Sequence, residues 1–192
     1  MTLAETASTF CEALAQRAAR AEAIGAQTLS LLDSWLVAFS ATVFDTHARF
    51  LVEQQVFAIR AERELSASEL TEITREAWLS VTGEAVDPAT VAVYRWTKPH
   101  FFISDIAYYN YPYAFGLLFA LGLLAVKDRE PAGFYERLDA LLADSGMRTA
   151  NDLAAGFGID LHDPEFWRGG FEGYRADVTE YERLVDEVIS RT

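Results

Sequence analysis

The chain has 192 residues, 51% of them hydrophobic, which is enough to bury one sizeable core and suits a single domain over 1–192. Its 16 basic and 29 acidic residues give a formal charge of -13, which repels phosphate backbones and anionic headgroups and argues against nucleic acid as a partner. The one cysteine, Cys11, excludes an internal disulfide and fits a reducing, cytoplasmic setting in which it packs as a small apolar group.

Apolar periodicity predicts helix throughout. The first 20 residues carry Glu5, Glu12, Arg17 and Arg20 without an apolar run behind a basic start, so they read as a helix and not as a secretory signal. Leu29, Leu32, Leu36, Phe39, Val43, Phe50 and Phe57 follow threes, fours and sevens, which predicts one buried face on a long helix over about 20–64, with Gly25 as a candidate break. Ser66 with Glu69 forms a capping box and opens a helix ending near Gly83. Asp87-Pro88 repeats the start signal for a short helix to about Trp96, which Lys98-Pro99 stops.

Residues 106–126 contain no charge and are long enough to span a bilayer core. The tyrosines, the amide and the proline of the first half argue against that, and leave 113–126 as a buried core helix. A polar turn follows over 127–131, then a helix over 132–143 ended by Gly146. Thr149 with Asp152 starts a short helix that Gly156 and Gly158 close. Asp163-Pro164 opens the last helix towards Ile189, with Gly169, Gly170 and Gly173 as candidate kinks. With no internal repeat or linker, the sum is an all-α, irregular bundle of about seven to nine helices.

Two segments have side chains suited to chemistry. In Glu5-Thr6-Ala7-Ser8-Thr9-Phe10-Cys11-Glu12 the two carboxylates share a helical face about 10 Å apart along the axis, too far to chelate one ion directly. Taken alone they read most simply as a solvated acidic stripe. His47 and His162 read as surface or capping residues, and no two histidines stand at helical ligand spacing. His100 leads a run through Tyr108, Tyr109, Asn110, Tyr111, Pro112 and Tyr113 that is dense in phenol and imidazole groups. Tyrosines at this spacing are more often core residues with one satisfied hydroxyl, but their density also suits donors to the oxyanion formed when water adds to a peptide carbonyl.

Glu-Thr-Ala-Ser-Thr-Phe-x-Glu at 5–12 and Tyr-Asn-Tyr-Pro-Tyr-Ala-Phe-Gly at 109–116 resemble the oligoendopeptidase F branch of the thimet oligopeptidase zinc metallopeptidases. Phe157-Gly158-Ile159-Asp160-Leu161, Asp163-Pro164-Glu165-Phe166-Trp167 and Tyr181-Glu182-Arg183-Leu184 are similar to that family's C-terminal signature, so the resemblance runs from about Leu3 to the end. It implies the C-terminal portion of a zincin-type oligopeptidase catalytic domain that hydrolyses oligopeptides. Glu5 matches the third zinc ligand and Glu12 an acidic residue that orients the metal site from behind. His100 matches the histidine that helps bind substrate or the tetrahedral intermediate, and at least one of Tyr109, Tyr111 and Tyr113 matches the family's hydroxyl donors.

The family's His-Glu-x-x-His helix, with two ligands and the general base, lies upstream of Glu5 and is absent from these residues. The resemblance therefore implies zinc in the complete enzyme, no zinc held by this chain alone, no activity in isolation, and a complementing N-terminal chain or self-association. The alternative is a non-catalytic helical interaction or scaffold protein derived from the peptidase fold. Neither reading calls for a membrane or nucleic acid.

Overall fold

The computed structural model describes residues 2–98, 102 and 106–190. Among these residues all regular structure is helical: α1 Thr6–Glu22, α2 Ala26–Arg60, α3 Ala67–Thr82, α4 Tyr111–Arg129, α5 Phe134–Ala143, α6 Ala150–Ala155 and α7 Pro164–Ile189, with three single turns of 3-10 helix between α3 and α4. They gather into two compact units, Met1–Phe39 with Phe115–Thr192, and Ser40–Ala114. α2 and α4 each contribute residues to both.

The helix boundaries follow local chemistry. Gly25 adopts φ +58, a left-handed conformation that L side chains resist, and it separates α1 from α2. Both halves of the capping box at α3 are present, Ser66 accepting from Glu69 N–H and the Glu69 carboxylate accepting from Ser66 N–H. Arg63, and then Ser66, hold the Glu69 carboxyl down to about 2. Thr149 and Asp163 cap α6 and α7 through Asp152 N–H and Glu165 N–H. Pro112 falls in the first turn of α4, where a missing N–H breaks no helical bond.

Three expectations are corrected. The segment after Asp87 forms two separate 3-10 turns, Pro88–Thr90 and Arg95–Thr97, in place of one helix. Asp87 caps the first turn as expected, but Val91 is extended and ends it. On α2 the buried face holds Leu32, Trp35, Phe39, Ala48, Val52 and Val56, whereas Phe50 is 40% exposed. A repeat of strict sevens drifts by about 20° per heptad on a straight helix, so the 36, 43, 50, 57 series rotates away from the core. Cys11 is exposed, because the buried face of α1 is set by Thr6, Phe10 and Ala13.

In the first unit, α4 supplies the centre of the core. Leu117, Phe119, Ala120, Leu123, Leu124 and Val126 are buried, and each large side chain among them stabilises by about 1.5–3 kcal/mol. Phe166 of α7 lies so close to α4 that a Cβ on Gly122 would sit 2.3 Å from its ring. Phe10 stacks on Phe134, and Phe134 meets Phe157 edge-on, which ties α1, α5 and the end of α6 together. α4 is also long and apolar enough to cross a membrane by length and composition. α7 runs through its three glycines as one helix.

In the second unit, Ala48, Val52 and Val56 of α2 pack on Ile73, Ala77 and Trp78 of α3. Asp45 accepts from Arg49 at 2.7 Å and also pairs with Arg95, whose guanidinium lies 5.1 Å from the centre of the Trp78 ring.

Candidate functional site

Glu5 stands at the N-cap of α1 and is half-buried. Its carbonyl accepts from Thr9 N–H at 3.0 Å and Thr9 Oγ1 at 2.6 Å, and its carboxylate Oε2 accepts from Ser8 Oγ at 3.0 Å. Behind it, a Cβ on Gly116 of α4 would lie 2.9 Å from Glu5 Cβ and 3.0 Å from its carbonyl carbon. The Glu5 backbone is thus pressed against the one α4 position that lacks a side chain there. The residues Thr6 to Thr9 build this end of α1: the hydroxyls of Ser8 and Thr9 turn back to Glu5, and Thr6 and Phe10 go into the core. Thr6 is fully buried, and its Oγ1 has no hydrogen-bond partner among the described residues. Glu12 is on the exposed side of α1.

The tyrosine-rich segment belongs to the second unit. Tyr109 and Tyr113 are half-buried and meet edge-to-face with ring centres 6.2 Å apart. Tyr111 is 41% exposed. Between them Asn110 is buried and accepts from Arg49 at 3.1 Å, which fixes the start of α4 to the Asp45–Arg49 pair. Tyr108 has φ +59, a strained value for a bulky residue that costs on the order of 1–3 kcal/mol, and its ring is held between Phe50 and Phe57. His100 lies outside the described residues.

Zinc needs several ligands held together, and among the described residues no group of three or more His, Cys, Asp or Glu side chains is placed to hold a metal. Glu5 offers one carboxylate, so the described residues alone do not fit a zinc ion. His47 is exposed, and His162 bonds to Asn151 at 2.8 Å next to the Asp163 cap.

Two features carry little sequence signal. Glu53 lies on the buried face of α2, 1% exposed; its Oε1 accepts from Phe102 N–H at 3.4 Å, and its Oε2 is buried with no partner among the described residues. Burial pushes its carboxyl above the ordinary range, partly offset by Phe102 N–H and Arg49. A lone acid among Leu51, Val52 and Val56 is the only hint of it. Asp177 of α7 accepts from Arg20 at 2.6 Å and from Trp35 Nε1 at 2.9 Å, a convergence over 157 and 142 residues of separation that no local pattern encodes.

The chain matches no protein-family model, no curated protein and no solved structure.

Proposed function

We propose that the chain is the C-terminal, all-helical part of the catalytic domain of an oligoendopeptidase F-type zinc endopeptidase, and that it is inactive by itself. The observation that carries the reading is the order of its motifs: Glu-Thr-Ala-Ser-Thr-Phe-x-Glu, then Tyr-Asn-Tyr-Pro-Tyr-Ala-Phe-Gly, then the Phe-Gly-Ile-Asp-Leu and Asp-Pro-Glu-Phe-Trp tail, across one helical chain. Glu5 is the residue offered to the metal. Its anchoring by Ser8, Thr9 and the close approach of Gly116 supports this, since a metal ligand needs neighbours that fix its orientation. The remaining ligands and the general base come from a His-Glu-x-x-His segment outside these residues.

On the substrate side, the proposal gives a tyrosine from the 109–113 segment a hydrogen bond to the carbonyl oxygen of the scissile peptide as that oxygen gains charge. Donors placed in advance are worth most at that stage. The strained Tyr108 and the buried Asn110–Arg49 bond hold this segment in place, which supports such a role. His100 is assigned to the same task by its motif. Zinc content and cleavage of a quenched-fluorescence oligopeptide by the purified chain test the reading. It predicts no stoichiometric zinc and no cleavage; zinc-dependent cleavage by the isolated chain would overturn it.

A second reading, a non-catalytic interaction protein on the same scaffold, is favoured by apolar side chains left exposed in the first unit, including Ile24 at 83% and Met147 at 83%. It predicts self-association in light scattering together with binding of an exposed-surface dye. A clean monomer that binds no dye would count against it.

A further inference from the structure

Asp45, Arg49 and Glu53 recur every four residues on α2, which brings a charged side chain to the same side of the helix on three successive turns. All three are half-buried or buried, next to Ala48, Val52 and Val56. Each holds one point of the chain that leads into α4. Asp45 pairs with Arg95, Arg49 donates to Asn110 Oδ1 at 3.1 Å, and Glu53 Oε1 accepts from Phe102 N–H at 3.4 Å. Between Thr97 and Tyr111 the described residues belong to no helix. Backbone without helical bonds of its own keeps one shape through bonds to other parts of the chain.

That shape is a strained one. Among the described residues, Phe102 and Tyr108 are the two outside glycine with positive φ, at +54 and +59. A bulky side chain persists in that conformation only where its surroundings over-determine it, and such positions gather at functional sites. Phe57, one turn after Glu53 on α2, meets both rings edge-on, with centres 6.2 Å from Phe102 and 5.4 Å from Tyr108. Tyr109 follows Tyr108 directly and meets Tyr113 edge-to-face.

Glu53 is the one rung that packing does not ask for. A carboxyl 1% exposed, with one oxygen unpartnered among the described residues, is less favourable there than an apolar side chain of the same size. Asp45 and Arg49 neutralise each other, whereas the bond that Glu53 makes among the described residues goes to Phe102 alone.

We propose that Glu53 is a positioning residue for the tyrosine donors: by accepting from Phe102 N–H it keeps the Phe102 and Tyr108 rings against Phe57, and so sets Tyr109 and Tyr113 where the scissile carbonyl oxygen gains charge. The reaction in this statement rests on the peptidase reading; the anchoring does not.

The test compares Glu53→Met, which matches the length and lacks the acceptor, with Glu53→Gln, which keeps both. Glu53→Leu, likewise without an acceptor, is measured beside them. In the isolated chain, amide exchange and tyrosine ring signals are followed by NMR. At unchanged helix content, Glu53→Met and Glu53→Leu should speed exchange at Phe102 by about fivefold or more and move the ring signals of Tyr108, Tyr109 and Tyr113. Glu53→Gln should leave both near wild type. Unmoved signals in the folded Met and Leu chains, or an equal change in Glu53→Gln, overturn the proposal.

The same chains are then mixed with a chain carrying the His-Glu-x-x-His half of an oligoendopeptidase F-type enzyme, and oligopeptide cleavage is measured. Glu53→Met should lower kcat by about tenfold or more with KM nearly unchanged, and Glu53→Gln should retain most of kcat. Full kcat in Glu53→Met, or a loss carried by KM alone, overturns the positioning role. Absence of cleavage with the wild-type chain overturns the peptidase reading instead, and the NMR comparison then decides the anchoring by itself.

Discussion

Glu53→Gln isolates one ionisation in the second unit. The wild-type carboxyl is 1% exposed; among the described residues one of its oxygens has no partner and the other has the 3.4 Å bond from Phe102 N–H. Arg49, one turn earlier on α2, is committed to Asp45 and Asn110, and Arg95 to Asp45. Burial therefore dominates and raises the Glu53 carboxyl above its ordinary 4.5. Between 4.5 and that raised value the folded chain keeps a proton that the unfolded chain releases. Stability is then highest below the ordinary value and falls as pH rises through the window. The slope for one proton is at most about 1.4 kcal/mol per pH unit, and an unpaired buried polar group bounds the total at about 1–3 kcal/mol. Glutamine keeps the shape and stays neutral throughout. Urea unfolding followed by circular dichroism at several pH values from 5 to 8 should give Glu53→Gln an advantage that grows with pH. A constant difference between the two proteins, or a wild type that gains on the variant as pH rises, would refute the reasoning.

Other substitutions probe the first unit and the helix start of α3. Gly116→Ala pushes a methyl to 2.9 Å from Glu5 Cβ; overpacking of about 1–3 kcal/mol, less about 1 kcal/mol of helix propensity, leaves a net loss that thermal melts should register. An increase in melting temperature would contradict the tight approach. Phe119→Ala empties a fully buried position and should cost about 3–5 kcal/mol in denaturant unfolding. Asp177→Asn keeps an acceptor for Trp35 Nε1 but removes the charge that holds Arg20, so it should be milder than Asp177→Ala in the same assay. Ser66→Ala removes the cap of α3 and should cost about 1 kcal/mol.

Helices announced by a cap were legible in the sequence, because the side chain that starts them is adjacent to the backbone it satisfies. Ser66–Glu69, Thr149–Asp152 and Asp163-Pro164 each open a helix where expected. The 87–97 segment misled for the complementary reason: Asp87 is a sound cap, but a cap sets only where a turn begins, and nothing local extends it past Thr90. The buried face of α2 was half legible. Leu32 and Phe39 follow from spacing, while the burial of Ala48, Val52 and Val56 depends on how the phase drifts along 35 residues. At the candidate site, the sequence placed Glu5 on a helical face with Glu12, whereas its N-cap position and the Gly116 contact behind it, which joins residues 111 positions apart, have no local trace.

The most direct test of the peptidase reading is complementation. The chain is mixed with a separate chain carrying the His-Glu-x-x-His half of an oligoendopeptidase F-type enzyme, and zinc content and oligopeptide cleavage are measured for wild type and for Glu5→Ala. The account predicts that wild type restores both stoichiometric zinc and cleavage and that Glu5→Ala restores neither. Restoration by Glu5→Ala to the wild-type level, or no restoration by the wild-type chain, would contradict it.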